Sequence, residues 1–171
     1  MRRFTTSLLF AASLALPALA EAQTVSQSDK DFMNEAAQGG MAEVKLGELA
    51  QSKAQSSAVK SFGERMVTDH TKANEELGTL ASKKGVTLPT DLSSEDQKLY
   101  DDLSKKSGAE FDKAYMEAMV KDHDKDVAAF EKQAKETKDK DIRDFATKTL
   151  PTLKNHEKMA HSDSQDLGKH M

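Results

Sequence analysis

Three histidines and one glutamate are the residues of this sequence whose types and spacing suit chemistry. His70 continues the apolar positions Phe62 and Met66 at four-residue steps, and His123 continues Phe111, Tyr115 and Met119 in the same way. His156 follows Leu153 by three residues and precedes Ala160 by four. Residues three and four apart share one face of a helix, so all three imidazoles are expected to point inward with their apolar neighbours. Glu43 falls inside the arc traced by Phe32, Ala36, Gly40, Leu46 and Ala50. An inward carboxylate is costly unless it is paired, protonated or bound to a metal. Glu43, His70, His123 and His156 therefore read as the donors of one metal site, each from a different long helix and each close to mid-bundle. Three imidazoles and a carboxylate suit a single zinc, iron, manganese or copper ion and discriminate poorly among them. The alternative is a buried network in which Glu43 pairs with a protonated histidine and only orders the core.

The neighbouring residues narrow the chemistry. Asp69 and Asp122 each precede a histidine and point about 100° away from it on an ideal helix. They are expected to support the site or to face solvent rather than to ligate the same ion. Glu48 lies near the edge of the inner face, and Glu64 and Glu117 read as surface charges. A carboxylate-bridged di-iron centre needs Glu-x-x-His on two helices. Here the positions three before the histidines are Val67, Val120 and Leu153, so oxygen-activating dinuclear chemistry is disfavoured. Met66, Met119 and Met159 lie three or four residues from the histidines, which would suit Cu(I). Methionine at helical spacing is more often core filler. No Ser-His-Asp spacing and no Gly-rich phosphate loop is present, and there is no Cys for a disulfide, a thiolate zinc site or a nucleophile. No catalytic residue or reaction is assigned, and a non-enzyme is the expectation.

Such a site needs elements to position it. The chain has 171 residues, with 37% hydrophobic, 5% aromatic and 32% charged, which points to one helix-rich domain with an aliphatic core. A net charge of -4 argues against a dedicated nucleic-acid binder. Helical periodicity runs over about 28–54, 57–84, 109–137 and 140–161. Short polar connections join the first two stretches and the last two, so each pair is expected to form an antiparallel hairpin. Between the hairpins, Ser93-Ser94-Glu95-Asp96 with Leu99 and Leu103 predicts a short extra helix inside a long crossover. Two hairpins joined in this way are the ferritin-like form of a four-helix bundle, expected over 28–161. Pro151 should kink the last helix. Residues 162–171 read as a disordered polar tail. Met66-Val67-Thr68-Asp69-His70 returns as Met119-Val120-Lys121-Asp122-His123, which would fit an ancestral hairpin duplication.

Residues 1–22 read as a signal peptide rather than as part of the fold. Arg2 and Arg3 form a positive start, an apolar run follows from Leu8 to Leu16, and Ala18-Leu19-Ala20 gives a small-x-small cleavage pattern. Ala20-Glu21-Ala22 is a second frame, and the apolar run is too short to span a membrane. Export to a bacterial periplasm is the expectation, with no integral membrane segment.

The blocks Glu43 to Ala50, Val59 to Phe62 and Met66 to His70 resemble the bacterial domain of unknown function family 4142. So do Phe111 to Tyr115, Met119 to His123 and Leu150-Pro151-Thr152-Leu153-Lys154-Asn155-His156, and the resemblance covers residues 31–160. It implies an exported, ferritin-like helical domain without an established reaction. Members often carry an outer-membrane label, which is hard to reconcile with a chain that offers no barrel strands and no cysteine for a lipid anchor. The reading at this point is a periplasmic bundle that binds a metal ion, for metal buffering or envelope stress tolerance. A structural or interaction module with a buried His/Glu network is the alternative, and no protein partner is assigned.

Overall fold

A computed structural model describes residues 24–169, which fold entirely as helix and connecting loop. Five helices follow one another: α1 (Gln27–Lys53), α2 (Ser57–Lys84), α3 (Ser94–Ser104), α4 (Gly108–Glu136) and α5 (Lys140–Lys169). No strand occurs among the described residues. The expected signal peptide lies outside them. No described helix is long and apolar enough to cross a membrane.

Local chemistry sets the helix ends. Ser26 and Ser93 accept hydrogen bonds from the backbone N–H groups of Asp29 and Asp96, each at 3.1 Å, and so start α1 and α3. Asp139 accepts from the N–H groups of Asp141 and Ile142 at 2.9 and 3.2 Å and starts α5. α2 ends at Gly85, whose φ of 66° is the left-handed conformation that stops a helix with little strain. The start of α2 is held from outside: buried Asp112 on α4 accepts from the N–H groups of Gln55 and Ser56 at 3.0 and 2.7 Å. At the other end, Lys84 reaches Asp139 and Asp141 at 2.6 and 2.7 Å and ties the end of α2 to the start of α5.

α1 packs along α2, and α4 along α5, as two hairpins with short connections. α2 also meets α5, while α1 and α4 approach each other less and share α3 between them. The α1/α2 contact is close where two glycines meet. A Cβ on Gly63 would stand 2.8 Å from both the Gly47 carbonyl oxygen and the Ala50 Cβ, so neither backbone can carry a side chain there. Pro151 sits inside α5 and is exposed, as is Thr147, so the missing backbone bond falls on the solvent side.

One expectation is corrected. Residues 162–169 are not a disordered tail but continue α5 to Lys169. Leu167 packs against the apolar cluster near that end, which anchors turns whose composition is otherwise polar.

The core is divided in two. One apolar cluster contains Leu46, Phe62, Met66, Phe111, Tyr115, Met119 and Ala160. The other contains Phe32, Met33, Leu77, Val127, Phe130, Phe145 and Leu153. Every long helix passes from one cluster to the other, and what it carries at the crossing is polar.

Candidate metal centre

The crossing residues are Glu43 on α1, His70 on α2, His123 on α4 and His156 on α5, all buried. The periodicity that makes each helix amphipathic puts them on the inner face. A polar residue at that position on all four helices makes a polar layer between the two apolar clusters. The three imidazoles face one another, with ring centroids 5.8 Å apart for His70 and His123 and 5.4 Å apart for the other two pairs. One ligand nitrogen of each lies within 4.8 Å of the other two.

The hydrogen bonds on the outer sides of the rings fix what the inner sides present. His123 Nδ1 lies 2.9 Å from the Met119 carbonyl oxygen, which can only accept, so Nδ1 carries the proton and Nε2 is a bare lone pair. His156 Nε2 lies 2.9 Å from Asp69 Oδ2, so the proton sits on Nε2 and Nδ1 is bare. Asp69 is itself oriented by Arg65 Nε at 3.3 Å. A metal-ligating histidine characteristically donates its other ring N–H to a carbonyl or carboxylate in this way. His123 Nε2, His156 Nδ1 and His70 Nε2 are all buried without a hydrogen-bond partner. A proton on His70 Nε2 could satisfy one of the two facing lone pairs but not both. Among the side chains alone at least one buried nitrogen is then left unpaired, and an unpaired buried nitrogen costs roughly 1–3 kcal/mol.

Electrostatics keep the rings neutral. Burial pushes the His70 imidazole well below its usual range, and the neighbouring His123 and His156 add to the effect. Burial likewise lowers His123, and it brings His156 down to about 4 despite the Asp69 carboxylate. A neutral imidazole is the form that binds a metal. A cavity of about 20 Å³, roughly the room one water needs, adjoins His70 and His156 and is bounded by Asn74, Leu77, Phe130 and Leu153.

Glu43 belongs to a neighbouring group. Its carboxyl, that of Asp122 and a nitrogen of His123 lie within 4.8 Å of one another. Burial raises the Glu43 carboxyl well above the usual range, and the Asp122 carboxylate raises it further. Asp126, one turn beyond Asp122 and half-buried, is pushed up to about 8 by burial and then by Asp122. The Tyr115 hydroxyl is buried without a partner, and burial together with Glu43 raises it.

Residues 14–162 match the family model described as Domain of unknown function (DUF4142). The chain belongs to this family. A solved structure similar to it is described as the crystal structure of a DUF305 fragment from Deinococcus radiodurans. It is 12% identical, has a TM-score of 0.71, and the match covers 84% of this chain and 97% of that one. At that identity the likeness concerns the fold alone. No curated protein matches the chain.

Of the four donors named from sequence, the fold brings His70, His123 and His156 together as one set. It places Glu43 beside His123 and Asp122, in a second set that shares one histidine with the first. Asp69 does not face solvent alone and does not serve His70, its neighbour in sequence. It crosses to α5 and holds His156. Asp126, half-buried one turn beyond Asp122, carries no sequence signal that marks it as part of this region. Met66, Met119 and Met159 pack in the apolar cluster on one side of the polar layer.

Proposed function

We propose that the protein is an exported ferritin-like four-helix bundle that binds one divalent transition-metal ion through His70, His123 and His156. The observation that carries this reading is the set of three facing imidazole nitrogens. Two have lone pairs fixed by bonds on the opposite side of the ring, and none has a partner. A metal ion satisfies all three at once. Three imidazoles would suit Zn²⁺, Cu²⁺ or Fe²⁺. The role that fits is metal buffering in the periplasm. Export rests on Arg2, Arg3, the apolar run from Leu8 to Leu16 and the Ala18-Leu19-Ala20 cleavage pattern.

The test is thermal. Zn²⁺ at about 100 times its dissociation constant should stabilise the metal-free protein by about 2.7 kcal/mol, and a chelator should reverse the gain. His70→Ala and His156→Ala should each abolish it. A melting temperature indifferent to zinc, copper, iron and manganese would contradict the proposal.

A further inference from the structure

The two carboxyls beside His123 are not explained by a three-histidine ion. Glu43 is 1% exposed, no N–H donor reaches its Oε2, and its carboxyl lies close enough to that of Asp122 for the two to share a proton when no cation is bound. Two carboxyl groups and an imidazole nitrogen converge there within 4.8 Å, and His123 Nε2 is itself buried and partnerless. Burying carboxyls together is unfavourable unless a cation or shared protons compensate. No Lys or Arg side chain forms an ion pair with Glu43, Asp122 or Asp126 among the described residues. Lys98, which lines the same cleft, pairs instead with Asp102 at 2.6 Å.

The surroundings supply a path from solvent. α1 and α4 meet less closely than the hairpin partners, and the space between them, partly covered by α3, forms a cleft of about 810 Å³. Acids from all three helices line it, among them Glu35 from α1, Asp96 from α3, and Asp122 and Asp126 from α4, and they outnumber its lysines, Lys98, Lys121 and Lys125. A cleft lined by acidic groups raises the local concentration of cations. Its inner wall includes Asp122, one of the two converging carboxyls.

We infer that Glu43 and Asp122 form a second cation site, next to the three histidines and reached through the cleft between α1, α3 and α4. Its ligand chemistry differs from that of its neighbour. Carboxylate oxygens prefer hard divalent ions such as Mn²⁺, whereas imidazoles suit zinc and copper. His123 has a single free nitrogen and can serve one ion at a time, so the carboxylates supply most of the binding at the second position. The site stands on the carboxyl pair and its cleft, not on the proposed three-histidine ion, and the two can be tested apart.

The experiment titrates Mn²⁺, followed by electron paramagnetic resonance, and Zn²⁺, followed by calorimetry, into three proteins. These are the wild type, Glu43→Gln/Asp122→Asn and His70→Ala/His156→Ala. Both carboxyl replacements keep the side-chain shape, and circular dichroism verifies the helices in each variant. The wild type should bind Mn²⁺ whether or not it binds Zn²⁺. Loss of even a supporting group costs a metal site 10–100-fold, so Glu43→Gln/Asp122→Asn should weaken Mn²⁺ binding by at least about a hundredfold. The same variant should hold Zn²⁺ within about threefold of wild type, well inside that range. His70→Ala/His156→Ala should show the reverse. Mn²⁺ binding unchanged in the carboxyl variant would overturn the inference. So would one ion per chain that both variants abolish, since Glu43 would then be a ligand of the histidine-bound ion. If the wild type takes up Mn²⁺ but no Zn²⁺, the three-histidine proposal fails while this one stands.

Discussion

Replacing Asp69 by Asn isolates the contact that orients His156. In the fold the carboxylate accepts the Nε2–H of His156 at 2.9 Å, which leaves Nδ1 as a buried, partnerless lone pair on a ring packed against His70 and His123. An amide can still accept that bond through its oxygen, so the metal-free protein should lose less than about 1 kcal/mol. The amide lacks the negative charge that makes the ring a stronger ligand, and its NH₂ group can favour the wrong tautomer. Such outer contacts are worth about 10–100-fold in affinity, or roughly 1.4–2.7 kcal/mol. A competition titration with a coloured zinc chelator near neutral pH reads the affinity, and thermal melts in excess chelator read the fold. The prediction is a drop of tenfold or more in zinc affinity with an almost unchanged metal-free melting temperature. Affinity within about twofold of wild type would show that Asp69 does not prepare His156 for a metal.

Two further predictions concern the metal-free protein. His70, His123 and His156 are held below their usual range, so they stay neutral in the fold while the unfolded chain protonates them below about pH 6.5. Stability is therefore lost as pH falls from there, for His156 until about 4. Glu43 and Asp126 are raised, so the fold keeps protons that the unfolded chain releases above about pH 4, and stability is lost as pH rises, for Asp126 until about 8. The opposing shifts put the maximum between about pH 4 and about 8, with roughly 1.4 kcal/mol per pH unit for each net proton. Melts in chelator from about pH 4 to 9 should fall on both sides, and a steady rise from 5 to 8 would contradict the assignment. At the α1/α2 contact, Gly63→Ala should destabilise by about 1–3 kcal/mol, because the added methyl meets the Gly47 carbonyl oxygen and Ala50 Cβ at 2.8 Å. Gly39→Ala, where nothing lies within 4 Å, should instead stabilise α1 by about 0.5–1 kcal/mol, and denaturant unfolding measures both.

Much of this architecture is legible along the chain, for identifiable reasons. The helices have long apolar stripes bounded by polar turns, so their ends were readable to within a residue or two, with α5 beyond 161 the exception. There a single Leu167 in a polar stretch carries no periodic signal, and its contact with the rest of the core shows only once the chain is folded. The mid-length positions of His70, His123, His156 and Glu43 were readable because inward direction and depth are both properties of one helix. What each meets depends on how neighbouring helices are rotated, which periodicity does not encode. Asp69 points about 100° from His70 on its own helix, and that direction leads to His156 on α5. The same offset leads Asp122 to Glu43 on α1. Gly63 gave no signal because an inward glycine and a spacer look alike until the facing Gly47 is known.

The central claim is that the three histidines hold a metal ion. It is tested most directly by elemental analysis of untagged protein purified from periplasm, beside a His70→Ala/His123→Ala variant. The account predicts at least one transition-metal ion per chain in the wild type and its loss in the variant. Metal-free protein in both preparations, with a wild-type melting temperature that no added divalent ion shifts, would contradict it.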